Sequence, residues 1–279
     1  MDTGFPDADA RDDFSRARRR QVLARLGARL RAQPGDVDVI LPFDEVVAAL
    51  GRVGERHLGL TVIELDSIVG TVERAGEFDR RFRPTSTRSR ARFEQIAAAE
   101  RRGQSFPPID VYRVGDAHFV KDGHHRVAVA RARGRRLIEA SVTEVLTQAG
   151  AGADLRVTDL PVKSHERLLW ERVPLPAEDR KRLRLREPGD HGVLAEGVEA
   201  WGFRRMQAEG VLLDRPTVAR RWLAEEYEPV VAMLGEAGLI PDPQWETEAY
   251  LRLAAERYQL LRTHGWDATV VAALRQRRS

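Results

Sequence analysis

Between Phe119 and Ala130 the chain changes its structural period at a single glycine. Phe119-Val120-Lys121-Asp122 reads as the end of a strand, Gly123 interrupts it, and Val127, Val129 and Ala130 with their small neighbours suit a short buried helix that stops near Gly134. A strand, a tight turn and a helix in that order leave the first N–H groups of the helix without partners at the positive end of its dipole. Glycine at the turn lets the backbone approach a bound anion closely. Lys121-Asp122-Gly123-His124-His125-Arg126 is therefore a candidate phosphate cradle. Arg126 would supply a two-pronged charged contact, and His124 and His125 would donate hydrogen bonds or carry protons. A structural reading stands beside this one, because glycine and arginine are common at helix N-termini and histidines there are often surface or satisfied groups.

The flanking residues place this turn within a small mixed domain. Pro107-Pro108 introduces the alternating run Ile109-Asp110-Val111-Tyr112, and Val114-Gly115-Asp116-Ala117 has hairpin chemistry that would return residues 118–120 antiparallel. Thr61-Val62-Ile63-Glu64-Leu65 reads as a strand that runs into 66–70 and a turn, residues 137–142 as a further strand, and Phe93, Ile96 and Ala97 as one face of a helix. Upstream, Phe43, Val46, Val47 and Leu50 give a helical stripe with Asp44 and Glu45 in its first turn. Residues 1–35 suggest a frayed acidic start and then a basic helix with Phe14, Val22, Leu23, Leu26 and Leu30 as its apolar face, ended by Pro34-Gly35.

A length of 279 residues allows about two domains, and the Ala/Gly run at 149–153 reads as the linker between them. The expected organisation is a basic helix at 1–35, a mixed-sheet domain at 36–148 and a mainly helical domain at 154–279, an α+β class overall. In the last of these, residues 168–170, 194–206, 218–234 and 250–261 carry helix patterns broken by prolines. Trp201, Phe203, Trp222, Tyr227, Trp245, Tyr250, Tyr258 and Trp266 read as packing aromatics rather than base-stacking platforms, and residues 216–240 have a helix-turn-helix look. The chain has no cysteine, which excludes disulfides, thiolate metal sites and cysteine nucleophiles. No apolar run approaches the ~20 residues needed to cross a bilayer, so a cytoplasmic protein with no membrane partner is expected. Net charge is only +3, but Arg80, Arg81, Arg83, Arg88, Arg90 and Arg92, followed by Arg101 and Arg102, crowd together and would attract a nucleic acid weakly, if they are more than a solvated arginine-rich face.

Over residues ~60–147 the order of these elements resembles the ParB/sulfiredoxin superfamily. Leu65-Asp66-Ser67-Ile68-Val69 is similar to its opening strand and box, 107–111 to its second strand, and 119–130 to its phosphate-binding strand, turn and helix. The resemblance implies a ParB/sulfiredoxin fold that holds nucleotide phosphates at Gly123, His124, His125 and Arg126. Sulfiredoxins need a cysteine after the glycine, where this chain has His124, so sulfinic acid reduction is excluded. Partition ParB proteins carry an acidic residue and two arginines there, and only Gly123 and Arg126 match. The Asp-Gly-His-His-Arg run is closest to free-serine kinases and related proteins. Arg74, Phe78, Asp79, Arg80, Phe82 and Arg83, with Trp222, Tyr227, Pro229, Val230, Pro241 and 247–251, are also similar to ParB-like actinobacterial proteins of unassigned role.

The kinase-like resemblance implies ATP, ADP or CTP as the bound nucleotide, with Mg2+, and phosphoryl transfer to a small hydroxyl compound. That chemistry needs positive charge around the moving phosphate and a group to accept a proton. Glu73, one residue out of register with the family's catalytic carboxylate, or His125 would accept it; Glu73 equally suits a plain exposed carboxylate. Asp122 or Asp110 would hold the metal, and Asp122 equally suits a turn or N-cap. A homodimer is compatible with this reading. The rival expectation is a ParB-like DNA-associated adaptor or a CTP/ATP-dependent switch without phosphotransfer.

Overall fold

The computed structural model describes residues 4–30 and 39–277, and the chain divides into two compact units, Met1–Lys163 and Ser164–Ser279. The first unit is built on a mixed six-stranded sheet, so the protein is of the α+β class. Its elements are α1 (Pro6–Leu30), β1 (Leu41–Pro42), α2 (Phe43–Leu50), β2 (Arg52–Glu64), β3 (Ile68–Thr71), α3 (Arg90–Arg101), β4 (Ile109–Val114), β5 (Ala117–Asp122), α4 (His124–Ala132) and β6 (Leu137–Thr147). The strand order is β1-β3-β5-β4-β6-β2. β3 pairs parallel with β5 and β4 parallel with β6, while β4/β5 and β2/β6 are antiparallel.

The expected hairpin is present: Val114 pairs with Ala117 across a two-residue turn in which Gly115 has φ 57, the positive value such turns require. Alternation along β5 sends Phe119 to one face of the sheet and Val120 to the other. On the Val120 face lie Phe93, Ile96, Val127, Val129 and Val142, contributed by α3, α4 and β6. On the Phe119 face lie Phe43, Val46 and Leu50 of α2 with Val69, Val114 and Val145.

Three expectations change. Of the strand read at 61–65, residues 61–64 are the end of β2, which starts at Arg52 and is separated from β3 by a short 3-10 turn at Leu65–Ser67. Residues 52–60 carry Gly54, Gly59, Arg56 and His57 and lack an alternating pattern because β2 is an edge strand largely exposed on both faces. In α1 the acidic start is helical rather than frayed: Asp7 binds Arg102 at 2.5 Å and Asp13 binds Arg101 at 2.6 Å. The buried apolar residues of α1 include Ala10, Phe14 and Ala17, with Phe14 edge-on to Phe93 at 5.5 Å, whereas Val22, Leu23 and Leu26 are exposed. Charge pairing to α3 thus selects the buried face of α1, and Pro34-Gly35 lies outside the described residues. Residues 149–153, expected as a linker, belong to the first unit: Ala149 is buried and Ala151 and Ala153 pack beside it.

The second unit is helical, with α5 (Leu160–Arg172) from Ser164 onward, α6 (Ala177–Arg180), α7 (Pro188–Glu209), α8 (Arg215–Trp222), α9 (Glu228–Glu236), α10 (Glu246–Leu261) and α11 (Ala268–Gln276). Trp201, Trp222, Tyr227 and Tyr250 are core, and Tyr227 sits 5.2 Å from Trp222 and 5.3 Å from Tyr250, ring to ring; Phe203 and Tyr258 are exposed. The helix-turn-helix look at 216–240 is not realised. α8 runs through a π-helical stretch, Leu223–Tyr227, directly into α9. Pro229 lacks an N–H and its ring would crowd the carbonyl four residues earlier, and a π-turn absorbs such a misfit without ending the helix. No helix among the described residues is long and apolar enough to cross a membrane.

Candidate anion-binding site

The turn between β5 and α4 has the expected geometry. Gly123 is left-handed, φ 100, and a Cβ there would lie 2.5 Å from Cγ2 of Ile109, so both backbone and space demand glycine. Val127 N–H donates to the carbonyl of Gly123, which leaves the N–H groups of His124, His125 and Arg126 in the unbonded first turn. They face a cleft of about 360 Å³ lined by Arg74, Arg92, Asp122, Gly123, His125 and Arg126 among others. Three guanidinium groups face one carboxylate there, a balance that favours an anion.

Each histidine has its own role. His124 is buried, its Nε2 lies 2.6 Å from the Thr71 hydroxyl, and its ring lies 6.3 Å from both Phe78 and Phe82, centroid to centroid. Burial, helped by the positive charge of Arg74, lowers its pKa to about 4, so the ring is neutral at pH 7. Its side chain is thus a structural strut, held by Thr71. His125 is half-buried, stands edge-on to Phe78 at 5.3 Å, and keeps Nδ1 buried without a protein hydrogen-bond partner among the described residues. Burial and then Arg74 push its pKa down as well.

Arg126 departs from its expected role. Its guanidinium donates to the carbonyls of Pro107 and Pro108, the latter at 2.9 Å, and to Asp122 at 2.5 Å. It staples the loop before β4 to the turn, and most of its donors are committed. Arg74 and Arg92 hold weaker partners, Glu77 at 3.4 Å and Gln95 at 3.1 Å, and are the more available cations.

The carboxylates are not gathered around the cleft. Asp110 is the cross-strand partner of Asp122, and both are exposed, but neither Asp110 nor Glu73 lines the cleft; Glu73 sits exposed just past β3. Two carboxylates, one already neutralised by Arg126, make a poor magnesium site, and no group of three or more His, Asp or Glu able to hold a metal occurs among the described residues.

The arginine run from 80 to 92 is dispersed rather than a single patch. Arg83 is paired with buried Asp79 at 2.7 Å and reaches the Arg20 carbonyl, Arg80 donates to the Ala153 carbonyl, Arg90 binds Glu94, and Arg92 turns to the cleft. Sequence reasoning missed Thr71 as the partner of His124, and Phe78 and Phe82 as its braces. Their one signal was the four-residue spacing of the two phenylalanines, whose loop Asp79 clasps by accepting from the Arg81 and Arg83 N–H groups at 3.0 Å each. Comparison with protein-family models, with curated proteins and with solved structures finds no match to this chain.

Proposed function

We propose that the N-terminal unit binds a nucleotide, ATP, ADP or CTP, by its phosphates at the start of α4. The observation that carries this reading is the convergence of Arg74, Arg92 and three unbonded helix N–H groups on one cleft of about 360 Å³. The likeness of residues 119–130 to the phosphate-binding segment of the ParB/sulfiredoxin superfamily supports it. Phosphoryl transfer to a small hydroxyl compound is the finer form of the proposal. For that reaction His125 is the better-placed proton acceptor: it lines the cleft, which Glu73 does not, and burial keeps its ring neutral.

Calorimetric titration of the full chain with ATP, ADP, CTP and inorganic tripolyphosphate tests binding, and turnover with free serine and other hydroxyl acceptors tests transfer. Binding of no phosphate compound would overturn the proposal. A second reading, a nucleotide-dependent switch without chemistry, is favoured by one observation: the sole carboxylate lining the cleft, Asp122, is tied to Arg126 at 2.5 Å and is poorly disposed to accept a proton. Binding without turnover on any acceptor selects that switch, and salt-dependent DNA binding that changes with nucleotide would assign it to an adaptor.

A further inference from the structure

A second, larger cleft of about 530 Å³ shares Phe106, Pro107 and Arg126 with the phosphate cleft, so the two adjoin along a common wall formed by these residues. That wall is braced, because Arg126 holds the carbonyls of both Pro107 and Pro108. Beyond it, Val62 and Leu137 expose apolar side chains, 57% and 52% accessible, at the end of the β2/β6 pair, and Phe106 and Ile138 add to the same lining. Exposed apolar groups gathered in a concavity beside a charged cleft are the usual make-up of a small-molecule site, where a few polar groups set orientation. Gln104 and Glu139 supply those groups: the amide can donate and accept, and the carboxylate accepts.

We propose that this cleft takes the base and sugar of the nucleotide whose phosphates occupy the start of α4. The inference rests on the phosphate reading above and assigns the organic half of the same ligand. A flat ring fits the apolar lining, and an exocyclic amino group, carried by adenine and by cytosine, matches the Glu139 carboxylate.

The test compares ATP and CTP with tripolyphosphate on the full chain and on Leu137→Trp, which fills the cleft from an exposed position. The expected result is that ATP or CTP binds about tenfold or more tighter than tripolyphosphate, and that Leu137→Trp removes this advantage while tripolyphosphate is unaffected. Photolabelling of the unaltered chain with 8-azido-ATP or 5-azido-CTP gives a readout independent of the variant. Label is expected on the tryptic peptide 137–156, whose Leu137, Ile138 and Glu139 line this cleft and not the phosphate cleft. Label confined to peptide 122–126, or equal affinity for nucleotide and tripolyphosphate, overturns the nucleoside cleft and leaves the phosphate reading standing. Failure of all three compounds to bind overturns both.

Discussion

The Thr71 hydroxyl and Nε2 of His124 lie 2.6 Å apart and join the end of β3 to the first residue of α4 across 53 positions of sequence. The same hydroxyl accepts from the Arg74 N–H at 3.3 Å, so one oxygen ties together the strand end, the arginine-bearing turn and helix α4. Thr71→Val keeps the shape and leaves a buried ring nitrogen without a partner, at a cost of about 1–3 kcal/mol. All five tryptophans lie in the C-terminal unit and would not report it. Hydrogen exchange of amides in 117–132 will, and faster exchange is expected in Thr71→Val but not in Thr71→Ser. Equal protection in both would show that the contact contributes nothing.

Arg126 and Arg92 should separate stability from binding. Arg126→Ala removes a charged donor from two carbonyls and a carboxylate and should cost about 3 kcal/mol of stability, measured by chemical denaturation. Arg92→Ala, exposed on α3 with Gln95 as its side-chain partner among the described residues, should leave the unfolding transition unchanged and weaken tripolyphosphate binding by about 1.5–3 kcal/mol. The opposite pattern would make Arg126 the phosphate ligand.

If phosphoryl transfer occurs, the two proton acceptors can be told apart kinetically. His125→Gln should lower kcat by roughly 10²–10⁴ with little change in nucleotide affinity, while Glu73→Gln, outside the cleft lining, should stay near the unaltered rate. A severe loss in Glu73→Gln alone would assign the base to the exposed carboxylate and require the turn after β3 to move.

Stability should fall as the solution is acidified below the ordinary histidine range. Burial holds both His118 and His124 at about 4, against 6.5 for the free side chain. Between those values the unfolded chain binds protons that the folded one does not, so stability rises with pH there and its histidine-dependent part is complete above about 6.5. Melting of the full chain between pH 7 and 5 should show a declining Tm, and combining His118→Gln with His124→Gln should flatten the slope. An unchanged slope would mean that both rings already accept protons in the folded state.

Local chemistry was enough to read the strand-turn-helix at Gly123, the hairpin at Gly115 and helix α2, because each depends on period, φ and capping within a few residues. The same holds for the packing role of Trp222, Tyr227 and Tyr250, whose volume leaves little alternative to burial. What residues 52–60 become was decided elsewhere: a polar, glycine-interrupted stretch is a strand only because β6 offers it an edge to pair with. The buried face of α1 was likewise set by Arg101 and Arg102 at the end of α3, which draw in Asp13 and Asp7 and leave Val22, Leu23 and Leu26 outside. At the cleft, the residue types around Gly123 and their shared turn were legible, but their division of labour was not. Whether Arg126 meets a phosphate or two proline carbonyls, and whether His124 faces solvent or Thr71, depends on segments 18 to 53 residues away that only folding brings within hydrogen-bond range.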